Sequence, residues 1–190
     1  MNETPISLLE RLRHHPDDSC WRRLTDLYLP LIQRWLDRQG LPPADADDLT
    51  QEILLVVVRE VAAFDHSGRR GAFRTWLRTI VVHRLRGYWR GRQARPQQAA
   101  AEQLDQLSDP DSDLARLWEQ EHDEFVLRRL LELIEPEFTP AAWHAFRRQS
   151  VDGLTAAQAA AELGVSANAV LIAKSRVLRR LRQQAVGLID

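Results

Sequence analysis

The chain has 190 residues, 44% of them hydrophobic and 28% charged, with a formal net charge of −1. This balance excludes a disordered polymer and fits one medium or two small folded domains. A single cysteine, Cys20, excludes an internal disulfide, no apolar run approaches bilayer-spanning length, and the N-terminus lacks a signal-peptide pattern, so a cytoplasmic protein without membrane insertion is expected.

Glycine is scarce and β-branched runs are few, which predicts a nearly all-helical fold. Residues 6–14 read as one or two amphipathic turns. Pro16-Asp17-Asp18-Ser19 is a turn able to cap the next helix. From Cys20 to Gln39, residues Trp21, Leu24, Leu27, Tyr28, Leu31, Ile32, Trp35 and Leu36 recur at three- and four-residue steps and predict one buried helix face. Pro30 is expected to kink or split this helix, and Gly40 to end it. Pro42-Pro43-Ala44-Asp45-Ala46-Asp47-Asp48 opens the next, because proline suits a first turn and acids there complement the helix dipole. It runs to about Phe64, with Leu49, Ile53, Val56, Val57, Val61 and Phe64 on one stripe. Asp45, Asp48, Gln51, Glu52 and Arg59 fall off the stripe and leave a polar surface.

A loop at 65–71 precedes a helix carrying Phe73, Trp76, Leu77, Ile80, Val81 and Leu85 on one side, continuing to Tyr88 and Trp89. Arg74 and Arg78 lie on the other side, and Arg84, Arg86, Arg90 and Arg92 stand outside the apolar pattern. Gly87 and Gly91 weaken this end by roughly 1 kcal/mol each relative to alanine. Residues 93–113, with Gln-Gln-Ala-Ala-Ala and Ser-Asp-Pro-Asp-Ser-Asp, read as a flexible acidic linker. Helical periodicity resumes at 114–135 and is broken by Glu135-Pro136-Glu137-Phe138-Thr139-Pro140. A short helix at 141–149 holds Trp143 and Phe146.

The last segment has its own pattern. Thr155 can cap a short helix at 156–163, Gly164-Val165-Ser166 makes a tight turn, and Ser166 can cap a longer helix from Ala167. Ala160, Gly164 and Val170 fall where a helix-turn-helix needs a small residue, a left-handed turn residue and a packing residue. Arg176, Arg179, Arg180 and Arg182 then supply phosphate-facing charge. The whole predicts an all-α fold of two small helical domains, 1–95 and 125–190, joined by a flexible acidic linker at 96–124.

Charge is distributed unevenly behind the small total. Residues 1–66 sum to −5, 67–95 to +9, 96–140 to −9 and 141–190 to +4. Such alternation implies two anion-binding surfaces, or segments that pair with each other inside the molecule. The 67–95 stretch holds nine arginines and no acid, interleaved with Phe73, Trp76, Tyr88 and Trp89. Arginines neutralise phosphates and rings stack on unpaired bases, which suits nucleic acid. A solvated arginine helix whose aromatics are core fits the same stretch. Trp76 is expected to be partly core, while Tyr88 and Trp89 fit either role. Catalysis is not expected: there is no HExxH and no phosphate-cradling glycine loop, and the six histidines lack ligand spacing, so neither metal nor cofactor is implied.

Two basic modules joined by an acidic segment, with an acidic helix before the first, resemble a bacterial RNA polymerase sigma factor of the extracytoplasmic-function (ECF) type, over about 21–95 and 127–182. The resemblance implies that Asp45-Ala46-Asp47-Asp48-Leu49-Thr50-Gln51-Glu52 is region 2.2, with Asp45, Asp48, Leu49, Gln51 and Glu52 binding the clamp helices of the largest subunit of core RNA polymerase. Phe73-Arg74-Thr75-Trp76-Leu77-Arg78-Thr79-Ile80 is similar to region 2.3, which acts in promoter opening, and 84–92 to region 2.4, which reads the minus-ten element. Arg74, Trp76, Arg78, His83, Arg84, Arg86, Tyr88, Trp89, Arg90 and Arg92 are the implied minus-ten DNA residues. Residues 154–182 are similar to region 4, with Ser166, Ala167, Asn168, Lys174, Arg176 and Arg179 as candidates for minus-thirty-five DNA. Asn168 fits either an adenine contact or a helix start. The resemblance also implies promoter DNA as a partner and a linker in the RNA exit path, and the lack of a long extra domain leaves room for a separate anti-sigma protein.

The chain departs from the family pattern at four places: His83 stands where Asn is common, Gly87 where Asp is common, Leu171-Ile172-Ala173 where a Lys-Ser-Arg-like triplet is usual, and the lead-in at 135–140 differs from the usual Leu-Pro-x-x-x-Arg entry. The alternative function is a stand-alone helix-turn-helix transcriptional regulator with a helical sensor domain, which would bind duplex DNA alone.

Overall fold

The computed structural model describes residues 8–14, 16–64, 71–91 and 98–189. Among these every regular element is helical: α1 Leu8–His14, α2 Asp18–Asp37, α3 Pro43–Glu60, α4 Ala72–Gly91, α5 Gln98–Ser108, α6 Asp113–Ile134, α7 Pro140–Ser150, α8 Ala156–Leu163 and α9 Ala167–Ala185, with a 3₁₀ turn at Glu135–Glu137. The all-helical expectation is met. No single helix among the described residues is long and apolar enough to cross a membrane. The residues group into two compact units, one spanning 8–127 with 186–189 and the other 128–185, and the division falls inside α6.

In the first unit, α2 begins where Asp17 accepts a hydrogen bond from the backbone N–H of Cys20 at 2.8 Å. Hydrogen bonds from Ser19 and from that N–H hold the Asp17 carboxyl well below the usual carboxylate range. The helix then buries Cys20, Leu24, Leu27, Tyr28, Leu31, Ile32, Trp35 and Leu36. It runs unbroken through Pro30; one missing N–H removes one hydrogen bond, and the buried face on either side of it outweighs that loss. Helix α3 packs between α2 and α4, through Leu49, Ile53, Val56 and Val57. Helix α4 buries Phe73, Leu77, Ile80, Val81, Val82 and Leu85, and continues past Gly87 to Gly91. A knot of rings closes the centre: Phe73 lies 5.2 Å from Tyr28 and 5.3 Å from Trp76, and Phe64 lies 5.0 Å from Trp76.

The segment expected as a flexible linker differs most from expectation. Its described part holds α5 and the first half of α6. Leu104 and Leu107 of α5 are buried, and so are Ala115, Trp118, His122 and Val126 of α6, at helical steps. The Trp118 ring sits 4.7 Å from Trp35, and His122 stacks 5.8 Å from Tyr28. The acidic composition suggested a solvated chain. The apolar residues between the acids instead form a continuous seam, and the acids themselves find arginines.

In the second unit, Thr139 caps α7 by accepting from Ala142 N–H at 3.3 Å. Thr155 and Gln158 form a reciprocal capping box on α8: the Thr155 N–H donates to Gln158 Oε1 at 2.9 Å and the Gln158 N–H to Thr155 Oγ1 at 3.2 Å. Gly164 ends α8 in the left-handed region at φ 66°. Ser166 Oγ then accepts from Ala169 N–H at 3.1 Å, and α9 leaves at a bend of 108°. Val170 and Ala173 pack into a small core with Ala145, Ala159 and Ala160. These small side chains let the helices approach to the geometry of a helix-turn-helix.

Trp118→Ala is expected to destabilise the first unit by about 3–5 kcal/mol, the range for deleting a fully buried indole, read as a lower denaturant midpoint for that unit. A merely tethered segment would leave the midpoint unchanged.

Candidate polymerase and nucleic-acid surfaces

Helices α3 and α4 flank an open groove of about 870 Å³. Asp45, Asp48, Leu49, Glu52 and Glu60 line one wall, and Trp76, His83, Arg84, Tyr88 and Arg90 line the other. The two sets predicted from sequence, one for the polymerase and one for DNA, therefore share one feature. A hydrogen bond links them, from the Tyr88 hydroxyl to Asp45 Oδ2 at 2.8 Å. Leu49 stands in this wall with only 4% of its surface exposed, packed largely inward. Asp48, Gln51 and Glu52 are exposed.

Two residues that the sequence reading missed extend this ridge. Leu55 is 54% exposed and Val58 37%, one and two turns beyond Gln51. The available signal was their phase, since both fall outside the buried Leu49, Ile53, Val56, Val57 stripe.

The arginines of α4 fall into two groups. Arg74 and Arg78 face α6. Arg74 bonds Asp123 at 2.8 Å and lies 3.7 Å from Glu119, while Arg78, only 4% exposed, reaches Glu119 at 3.7 Å. Arg86 meets Asp105 of α5 at 3.1 Å. Arg84 and Arg90 are exposed, as is His83, and Arg84 has no acid partner among the described residues. Arg92 lies outside the described residues. Trp76 is half-buried against Phe64 and Phe73, as expected for a partly core ring. Tyr88 and Trp89 are half-buried and meet edge to face at 5.0 Å. The partners of Arg74, Arg78 and Arg86 were also missed at residue level; the adjoining +9 and −9 blocks carried that signal.

In the second unit, Ser166, Ala167 and Asn168 are exposed at the start of α9, Arg176 and Arg179 are exposed further along, and Lys174 is half-buried. Arg180 is held by Glu137, with Nη2 to Oε1 at 2.8 Å. Helix α9 contains no acidic residue.

The described residues thus combine an acidic, partly apolar ridge beside exposed arginines with a helix-turn-helix in the same chain. The family described as Sigma-70 region 2 matches residues 24–95. The chain is 25% identical over 171 residues to the ECF RNA polymerase sigma factor SigF of Caulobacter vibrioides, covering 88% of this chain and 87% of that one. The chain is thus similar to the sigma factors of RNA polymerase, over residues 24–95 by family and over most of its length to one ECF relative.

Beneath the arginines of α4, His122 is fully buried, and its Nδ1 lies 2.9 Å from Asp123 Oδ1. Burial pushes its pKa below the ordinary 6.5; the Asp123 contact opposes this and the Arg74 charge adds to it. The unfolded chain therefore binds a proton that the folded chain resists, so stability is complete above the unfolded value and falls as pH drops through it. The midpoint of thermal unfolding is expected to fall between pH 7.5 and pH 5.5 in the wild type, and to fall less in His122→Phe, which keeps the stack on Tyr28 without the titration. Equal falls would remove His122 as the cause.

Proposed function

We propose that the α3 ridge docks on the clamp helices of the largest subunit of core RNA polymerase, and that α4 and the α8–α9 pair hold the minus-ten and minus-thirty-five promoter elements. The observation that carries this reading is the α3 surface, where exposed Asp48, Gln51 and Glu52 run directly into exposed Leu55 and Val58. An apolar pair rimmed by acids suits a partner with basic residues around an apolar contact. Asp45 serves the same face while held by Tyr88, and Leu49 supports it from within.

On α4, Arg84 and Arg90 take phosphates, and His83 lines the same groove. Arg74, Arg78 and Arg86 are committed to acids of α5 and α6, and supply DNA contacts only when those pairs are released. Trp76, Tyr88 and Trp89 line or adjoin the groove that would receive an unstacked base, whose extrusion costs a few kcal/mol. In the second unit, Ser166, Ala167, Asn168, Lys174, Arg176 and Arg179 face the upstream element. Residues 1–95 thus serve as region 2 and 125–190 as region 4. The acidic segment 96–124 can enter the RNA exit path only by giving up its pairs with Arg38, Arg74 and Arg86. A separate anti-sigma protein would compete with polymerase for Leu55 and Val58. The reading implies a cytoplasmic location, promoter DNA and core polymerase as partners, and no catalytic chemistry in the chain itself.

Co-purification with bacterial core RNA polymerase tests this. The Asp48→Arg/Gln51→Ala variant and, separately, Leu55→Asp should each bind at least about tenfold more weakly, the loss expected at a docking hot spot, with helical content unchanged. A well-folded wild type that ignores core polymerase and binds a specific duplex alone would leave the stand-alone regulator.

A further inference from the structure

We propose that Leu171 and Ile172 read thymine, by packing against C5-methyl groups in the major groove of the upstream promoter element; this deepens the proposed function and rests on its assignment of α9 to DNA.

Both side chains are large, apolar and open, 50% and 49% exposed. They sit between Val170, fully buried, and Ala173, 6% exposed, which turn into the core with Ala159 and Ala160. At 100° per residue this phase is forced: when Val170, Val177 and Leu181 face inward, Asn168, Ile172, Ser175 and Arg179 fall along the opposite side, with Leu171 on its flank. The pair therefore lies in the first two turns of the second helix of a helix-turn-helix, the part that meets base edges when such a helix enters the major groove.

The surroundings choose the occupant. Helix α9 has no acid, and Lys174, Arg176, Arg179 and Arg182 follow the pair along it. Exposed leucine and isoleucine beside that much positive charge suit a polyanion that also offers an apolar group. In the major groove the thymine methyl is that group. Leu171-Ile172 thus trades a polar base-edge contact for discrimination by a single methyl, and Asn168, one turn earlier, remains free to meet an adjacent base.

The experiment uses the full chain assembled with bacterial core RNA polymerase, which selects promoters from a randomised duplex library. Thymines in the selected upstream element are then replaced by deoxyuridine, which lacks only the methyl. Each contacted thymine so replaced should weaken wild-type binding by about fourfold, the worth of one buried methyl group. Leu171→Ser/Ile172→Ser should bind both duplexes equally, with helical content and polymerase binding retained. Equal wild-type affinity for thymine and deoxyuridine, or a selected element without thymine, would overturn the proposal. So would a double variant that changes self-association or protein capture while keeping the methyl preference, since the pair would then be a protein contact. If the chain fails to bind core polymerase, the proposed function falls, while the same replacement on duplexes selected by the chain alone still decides the methyl contact.

Discussion

Carboxylates of α6 hold arginines of α4, and the first unit is arranged around that pairing. A run of nine arginines without an acid repels itself. The −9 block that follows in sequence supplies the counter-charge. Glu119 and Asp123 are four residues apart on α6, Arg74 and Arg78 four apart on α4, and one helical phase brings the two rows together. Glu121 turns the other way, to a two-pronged pair with Arg38 at 2.8 and 2.9 Å, and Arg38 in turn lies 4.9 Å above the Trp35 ring. Between these ion pairs run Trp118 and His122, fully buried. The rings exclude water, so salt screens the Arg78 pair less than an exposed one. Buried charge pairs add little net stability compared with apolar packing. What this set contributes is register, since Glu119, Glu121 and Asp123 each meet an arginine of another helix at this phase of α6.

That arrangement divides α4 lengthwise. Its inner stripe is core, one flank belongs to the acids of α5 and α6, and His83, Arg84 and Arg90 are charged or titratable side chains on the face toward the α3 groove. A helix that reads from sequence as an apolar side and a basic side divides its basic side again in the fold. The same holds on α3, where Leu49 is spent on packing while Leu55 and Val58 stand in the open.

Legibility in the sequence followed how local each determinant is. The helix-turn-helix came through nearly residue by residue, because the Thr155 cap, the Gly164 turn and the Ser166 cap act within four residues of themselves. The apolar face of α2 came through for the same reason, since periodicity is local. Pro30 does not split α2, because its local cost is offset by packing from other helices. The acidic segment misled for a stronger version of that reason: what makes α6 a packed helix is Trp35, Tyr28, Arg38 and Arg74, which lie 49 to 94 residues away in sequence. The charge blocks announced that some pairing would occur without naming the partners. Exposure of Leu55, Val58, Leu171 and Ile172 is likewise a property of where the other helices stop.

The preference for guanidinium has a chemical consequence. Arg74 addresses Glu119 and Asp123 together through separate nitrogens, and Arg38 grips both oxygens of Glu121, which a planar fork can do and a single ammonium cannot. Of the chain's 26 cationic side chains, 25 are arginine, and the remaining one is Lys174 in the middle of α9. Reagents and modifying enzymes that seek side-chain amines therefore find one address on the whole chain, two residues from Ile172. Acylation there would remove a positive charge from the helix-turn-helix while leaving every ion pair of the first unit intact.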